Sequence, residues 1–157
     1  MIDHRPTKND SYAFLIAEGV KRGFEVIAEY RVFIPELQKK KSIDLVWAKR
    51  KLGAATYQNS ESIDYWDLVA TFEIEGCNVN IKKEFDRHLQ HFPHLDRQFS
   101  TRSVFHSIVL YTAAFDRTPL KINDPAAFVL KRKNTAKAFE IHVFSINEPH
   151  VIQLLPT

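Results

Sequence analysis

The spacing of the apolar residues changes at Gly76, and this change restricts the fold more than any other feature of the sequence. Upstream, over residues 66–75, alternate positions are apolar: Trp66, Leu68, Ala70, Phe72 and Ile74. Downstream, the apolar positions recur with the helical period of about 3.6 residues: Val79, Ile81, Phe85, Leu89 and Phe92. We therefore expect an uninterrupted strand with one apolar face, followed by an amphipathic helix that ends before Pro93.

The same criteria predict the other elements. A first helix begins at Asp10 as its N-cap and stops at Gly23. Further strands are predicted over residues 24–34, 41–50, 103–113 and 138–146, a hairpin loop over 53–64, and another helix after Asp124. The order α-β-β-β-α-β-α-β contains no repeat or linker. It predicts a single α/β domain over residues 1–157, with a mixed central sheet flanked by helices.

Glycine and cysteine usage excludes several function classes. The chain has four glycines, and their spacing fits neither the Rossmann nor the P-loop phosphate-binding motif. Its one cysteine, Cys77, excludes an internal disulfide and a multi-cysteine zinc site, and it has no evident partner base to make it a nucleophile. Neither a signal peptide nor a membrane span is evident, so we expect a cytoplasmic protein without a membrane partner.

Three acids lie inside predicted strands, where carboxylates are depleted. Asp44 is on the second strand, and Glu73 and Glu75 are on one face of the third, about 6.6 Å apart at two-residue spacing. If the two strands pair, the three side chains can converge, and such a cluster favours a bound cation such as Mg²⁺. The alternative is an ordinary half-exposed strand whose acids face solvent.

The segments SIDLVW around Asp44 and TFEIE around Glu73 resemble the bipartite signature of the PD-(D/E)XK, or restriction endonuclease-like, superfamily. The α-β-β-β-α-β core of that family matches the first six predicted elements. The resemblance implies that Asp44, Glu73 and the main chain of Ile74 bind Mg²⁺, for which Mn²⁺ can substitute. It also implies that Asp44, Glu73 and Glu75 are catalytic.

The sequence departs from the family pattern at Glu75, where a lysine is usual. It thereby resembles the minority E-x-E branch, in which Glu75 would bind metal or act as a general base. Alternatively, Lys82 or Lys83 on the next helix supplies the lysine. The family also commonly has an acid on the first helix, for which we prefer Glu18 to Asp10, although a solvated surface charge explains Glu18 equally well.

The implied function is a Mg²⁺-dependent DNA endonuclease of the restriction or repair type. Basic residues flank the acids in sequence, and we expect them to contact DNA: Lys41, Lys49, Lys51, Lys82, Lys83 and Arg87. The alternative is a catalytically inactive nuclease-like domain that binds nucleic acid or a protein partner. In a chain of this length we expect a homodimer or a larger complex to contribute specificity.

The remaining polar residues carry weaker signals. The triplet His88, His91 and His94 recurs every third residue but lacks the ligand pattern of a zinc site. His106 and His142 lie in apolar strands and are predicted to be core histidines. The basic cluster at residues 131–133 is predicted to be solvated.

Overall fold

The computed structural model describes residues 6–51, 66–76, 81–99, 104–111 and 141–157. The elements in these ranges are α1 (Lys8–Lys21), β1 (Glu25–Ile34), a 3-10 helix (Pro35–Leu37), β2 (Lys39–Arg50), β3 (Trp66–Gly76), α2 (Ile81–Phe99), β4 (Phe105–Tyr111), β5 (His142–Phe144) and α3 (Val151–Leu154). The predicted loop at 53–64, the helix after Asp124, Cys77 and the basic cluster at 131–133 lie outside the described residues.

The strands form one mixed sheet in the order β1-β2-β3-β4-β5. The first three strands are an antiparallel meander, whereas β4 is parallel to β3 and β5 is parallel to β4. Parallel neighbours require a crossover connection, and α2 lies between β3 and β4 in the chain. The α/β class with a mixed sheet is therefore confirmed.

The observed N-cap of α1 lies three residues before the predicted one, Asp10. Thr7 is the N-cap, because its hydroxyl oxygen accepts a hydrogen bond from the Asp10 amide at 3.1 Å and its own amide donates to the Asp10 carboxylate at 2.9 Å. This reciprocal capping box satisfies two amides that the helix leaves unpaired, which places Asp10 at the third helical position. The predicted stop is confirmed, since Gly23 has the positive φ, +83°, that favours glycine after a helix.

The two faces of the sheet bury separate apolar layers. The layer under α2 contains Phe85 and Phe92, and the layer on the α1 face contains Leu15 and Trp47. The apolar residues of β3 change from one layer to the other along the strand. Trp66 and Leu68 lie in the α2 layer, and Ala70, Phe72 and Ile74 lie in the α1 layer.

An irregularity in the pairing of β2 and β3 causes this change of face. Trp47 pairs with Ala70, but Ala48 pairs with Leu68, so Val69 is an extra residue on β3. A bulge of this kind reverses the faces of the residues beyond it. The predicted uninterrupted alternation over residues 66–75 is therefore wrong at Val69. As a consequence, Glu73 lies on the α2 side of the sheet.

Helix α1 lies in close contact with β2 at Gly19. A Cβ atom at Gly19 would come within 2.5 Å of the Trp47 Nε1 atom, so only glycine allows this approach. The indole nitrogen of Trp47 donates a hydrogen bond to the Leu15 carbonyl at 3.0 Å. These contacts fix α1 across β2, which carries one of the predicted site residues.

Helix α2 continues through Pro93 to Phe99, so the predicted end before Pro93 is wrong. A proline inside a helix costs about 3 kcal/mol because it removes an amide donor and crowds the preceding turn. Burial of the α2 side chains Phe85 and Phe92 opposes that cost. Neither α2 nor any other helix in the described residues combines the length and apolar content needed to cross a membrane.

Candidate functional site

The candidate site lies where β2 and β3 part. The last residue pair between them toward this end is Leu45 with Phe72. Beyond it, β2 remains paired with β1 as far as Lys39, and β3 remains paired with β4 as far as Gly76. We call this divergence the fork. The first residues past it are Asp44 on β2 and Glu73 on β3.

Asp44 replaces a missing main-chain partner at the fork. Its Oδ2 atom accepts a hydrogen bond of 2.8 Å from the Ile74 amide. Burial raises the pKa of Asp44, while the Ile74 amide and the Lys8 charge oppose that shift and Glu75 adds to it. The carboxyl group is thus held in one orientation by the Ile74 amide.

Glu73 is buried under α2, with 2% of its surface exposed. Its Oε1 atom lies 3.1 Å from the Nζ atom of Lys41, whose side chain is also buried. Burial raises the pKa of Glu73, and the nearby His88 and Lys41 partly offset the rise. The interpretation of β3 as an ordinary strand with solvent-facing acids therefore fails at Glu73, because α2 covers this part of the strand.

Glu75 faces the same helix and contacts His88. The Nε2 atom of His88 lies 2.9 Å from Oε1 of Glu75, and His88 is only 1% exposed. One ligand atom from each of Glu73, Glu75 and His88 lies within 4.8 Å of the others. These three residues could therefore hold a metal ion.

The side chains at the fork carry more negative than positive charge. Asp44, Glu73 and Glu75 carry three negative charges when ionised, whereas Lys41 carries one positive charge, which leaves two negative charges. Carboxylates this close raise one another's pKa unless a cation compensates them. One divalent cation would balance the group, so the charge count agrees with the donor geometry.

Two of the site's side chains were not predicted to join the acids. His88 was given little weight as a ligand, although its spacing from Phe85 and Phe92 places it on the buried stripe of α2. The sequence predicts Lys41 only as a DNA contact, and it offers Lys82 or Lys83 on α2 as the alternative source of a lysine beside the acids. In the sequence, Lys41 lies three residues before Asp44, which is the one indication that it belongs to the site. Its contact with Glu73 depends on the fork.

The two first-helix candidates have partners within α1. Glu18 forms an ion pair with Arg22, one turn further along the helix. Asp10 closes the capping box with Thr7. The structure shows neither of them in contact with Asp44, Glu73 or Glu75.

A different carboxylate, Glu29 on β1, occupies the position opposite Asp44. Glu29 has a φ of +53° and interrupts the β1–β2 pairing there. Its carboxylate accepts hydrogen bonds from the Ser42 hydroxyl at 3.0 Å and from the Tyr12 hydroxyl at 3.4 Å. Burial, with Asp44 and Glu29 nearby, raises the pKa of Tyr12. No sequence pattern indicated Glu29, because its position depends on an unusual backbone conformation.

The predicted DNA contacts are spread over the molecule. Lys49 lies five residues from Asp44, about 16 Å along the strand, and its Nζ atom is 5.6 Å from the centre of the Phe24 ring. Lys51 directly follows the end of β2, further from Asp44 along the chain. Lys83 and Arg87 are exposed on α2, and the side chain of Lys82 lies outside the described part of the chain. Among the described basic residues predicted for DNA, only Lys41 contacts an acid of the fork.

The other histidines of the described region are mostly structural. His106 is buried, its Nδ1 atom lies 2.6 Å from the Thr71 hydroxyl, and its ring stacks on Phe92, which confirms the predicted core role. His142 is only partly buried and stacks on Phe105. The side chain of His94 is outside the described residues.

Comparisons with known proteins add no relative: no protein-family model matches the chain, and neither a curated protein nor a solved structure does.

Proposed function

We propose that this protein is a metal-dependent endonuclease of the PD-(D/E)XK type that hydrolyses phosphodiester bonds in DNA. One observation carries the proposal: past the fork, Glu73 and Glu75 meet His88, Glu73 pairs with the buried Lys41, and Asp44 accepts a hydrogen bond from the Ile74 amide. Structural stability alone gives little reason to place a buried acid beside two partly buried ones, because each buried charge costs several kcal/mol to remove from water.

The topology is compatible with this family. The described elements follow the order α-β-β-β-α-β, with an antiparallel meander and a fourth strand parallel to the third. The signature residues Asp44 and Glu73 are the first residues past the divergence of their two strands. Fold order is a weak argument for function by itself, so the proposal depends on the side chains.

Hydrolysis of a phosphodiester needs an activated water, charge neutralisation on the phosphate and stabilisation of the leaving oxygen. A divalent cation held by Glu73 and Glu75, with Asp44 beside them, would supply Lewis-acid chemistry for these tasks. Asp44 is oriented by the Ile74 amide. Lys41 places a positive charge next to Glu73 that a phosphate could also use, and it would therefore replace the lysine that is absent at position 75.

DNA is the proposed substrate because the chain is basic overall. Its net charge is +3, and α2 exposes Lys83 and Arg87 close in sequence to the fork. Positive charge on the approach to a metal site favours a polyanion. We further propose that a homodimer or a larger complex supplies cleavage specificity.

A second candidate is a nuclease-like domain that binds nucleic acid or a protein partner without cutting it. The observation that favours it is that the site's charges already have protein partners: Lys41 pairs with Glu73, His88 with Glu75, and the Ile74 amide with Asp44. Such a site is stable without a substrate. Under this alternative the basic surface binds DNA and the acids serve only the fold.

The test is cleavage of supercoiled plasmid, and of linear single-stranded DNA, by the full chain with Mg²⁺ or Mn²⁺. We expect nicking or linearisation that stops with EDTA and is lost in Glu73→Gln, which keeps the shape of the side chain but removes its charge. The matched control is Asp86→Asn, on the exposed side of α2, which should cut at the wild-type rate.

Thermal unfolding of each variant separates loss of chemistry from loss of fold. A Glu73→Gln variant that is folded and cuts DNA at the wild-type rate would overturn the nuclease proposal. A wild-type protein that binds DNA with either metal present, yet cleaves none of the substrates, would favour the non-cutting domain.

A further inference from the structure

His88 combines near-complete burial with an incomplete set of hydrogen bonds. Its ring is 1% exposed and stacks near Phe92, with ring centres 6.1 Å apart. Its Nε2 atom meets Glu75, but Nδ1 has no hydrogen-bond partner among the described residues. A buried polar atom without a partner costs about 1–3 kcal/mol. An apolar side chain would fill the same space without that cost, so packing alone does not account for an imidazole at this position.

The polar edge of the ring is directed to the acids of the fork. Its ligand atom belongs to the group, within 4.8 Å, that also contains one oxygen each of Glu73 and Glu75. His88 and Glu75, which share a hydrogen bond, are therefore both placed to bind one ion. The donor set of that ion would be one nitrogen and two carboxylate oxygens.

This donor set discriminates between metals. Mg²⁺ prefers oxygen ligands and keeps much of its water, whereas first-row transition-metal ions accept imidazole nitrogen together with carboxylates. We propose that His88 is a metal ligand and that it makes the site select a divalent first-row transition-metal ion over Mg²⁺. The inference rests on the proposed function for the presence of an ion, and it replaces the Mg²⁺ expected from the sequence.

The experiment measures metal binding by the full, metal-free chain in the absence of DNA. Mn²⁺ is titrated while the free ion is followed by electron paramagnetic resonance, and Mg²⁺ is then added as a competitor. We expect Mn²⁺ to bind at least about tenfold more tightly than Mg²⁺. Equal affinities for the two ions would overturn the proposal.

The variant His88→Gln replaces the nitrogen donor with an amide oxygen. We expect it to lower Mn²⁺ affinity by about tenfold or more while leaving Mg²⁺ affinity nearly unchanged, so the preference disappears. The control is His91→Gln, which changes a buried histidine on the same helix that is not among the three grouped residues. A Mn²⁺ preference that survives in a folded His88→Gln protein would show that His88 is not a ligand.

A spectroscopic measurement on the wild type avoids any folding defect in a variant. Pulsed electron paramagnetic resonance of bound Mn²⁺ should show electron-spin-echo modulation from a directly coordinated nitrogen. Modulation from water protons alone would overturn the proposal. A protein that shows the nitrogen signal but cuts no DNA would refute the nuclease function and still support His88 as a ligand.

Discussion

The two halves of β2 are both extended strand, but one half packs into the core and the other contributes polar side chains to the fork. From Leu45 to Ala48 the strand is paired on both edges, and these four residues are fully buried. From Lys39 to Ile43 it is paired only with β1, and Asp44 follows as an unpaired residue. This half presents Lys41 to Glu73 and Asp44 to Ile74 of β3. Where pairing on both edges satisfies the backbone, side chains can be apolar. Past the fork, where β2 and β3 no longer pair, polar side chains must form the hydrogen bonds that the partner strand would otherwise provide.

The difference shows how a sheet can provide a polar site without a separate loop. The Ile74 amide faces the gap left by β2, and the Asp44 carboxylate fills it. The same gap admits Lys41 to Glu73 under the cover of α2. The apolar half of β2 should therefore determine whether the protein folds, and the polar half should determine mainly what it binds.

The largest expected effect is in the apolar half. Trp47→Ala should lower the free energy of unfolding by about 4 kcal/mol, because it leaves a large cavity and removes the hydrogen bond to the Leu15 carbonyl. Urea unfolding followed by circular dichroism measures the change. A loss below about 1 kcal/mol would contradict the assignment of the main core to this half.

The next effect is in the polar half. Lys41→Met should cost about 3 kcal/mol, because it leaves the buried Glu73 carboxylate without its cation. The double variant Lys41→Met with Glu73→Leu should recover to within about 1 kcal/mol of the wild type, since no buried charge remains. Lys40→Met, on the exposed neighbour, is the control. Additive losses in the double variant would show that the ion pair does not couple these residues.

A smaller effect separates stability from binding at Asp44. Asp44→Ala should cost about 2 kcal/mol, because the buried Ile74 amide loses its acceptor. Asp44→Asn keeps an oxygen for that amide and should cost less than about 0.5 kcal/mol, while weakening metal binding. Chemical unfolding and Mn²⁺ titration of both variants provide the measurements. If Asp44→Asn binds metal like the wild type, Asp44 serves only as a backbone cap.

The last prediction concerns the dependence of stability on pH. Burial first, then the charges of Lys41 and Lys39, lower the pKa of His91 from 6.5 to about 4. Below pH 6.5 the unfolded chain therefore takes up a proton that the folded chain refuses, and stability should fall as the pH decreases from 6.5 to about 4. His91→Gln should make this decline shallower in urea unfolding across that range. Identical pH profiles for both proteins would contradict the lowered pKa.

Local pattern was sufficient for most of the described elements. Alternation and β-branched composition located β1 and β2 within two residues of their observed ends, and Gly23 ended α1 as expected. Three predictions about these elements failed: the N-cap of α1, the uninterrupted alternation along β3 at Val69, and the end of α2 before Pro93. Thr7, not Asp10, is the N-cap of α1. In α2, burial of the apolar face stabilises the helix by more than Pro93 destabilises it.

The site was only partly visible in the sequence. Asp44 and Glu73 were predicted to converge, and their strands do pair up to the preceding residues, Leu45 and Phe72. Lys41 and His88 were not predicted beside them, because one depends on the gap between two strands and the other on how α2 docks.

The sequence by itself determined the α/β class, the order of the main elements from α1 to β5, and the placement of Glu73 and Glu75 on one face, because side-chain direction follows the local backbone period. It did not predict the 3-10 helix or α3. Only the tertiary structure decided that this face is covered by α2, and that Lys41 and His88 complete the group. Strand register, the extra residue at Val69 and the docking of a helix are set by contacts between segments distant in the chain, and no local period encodes them.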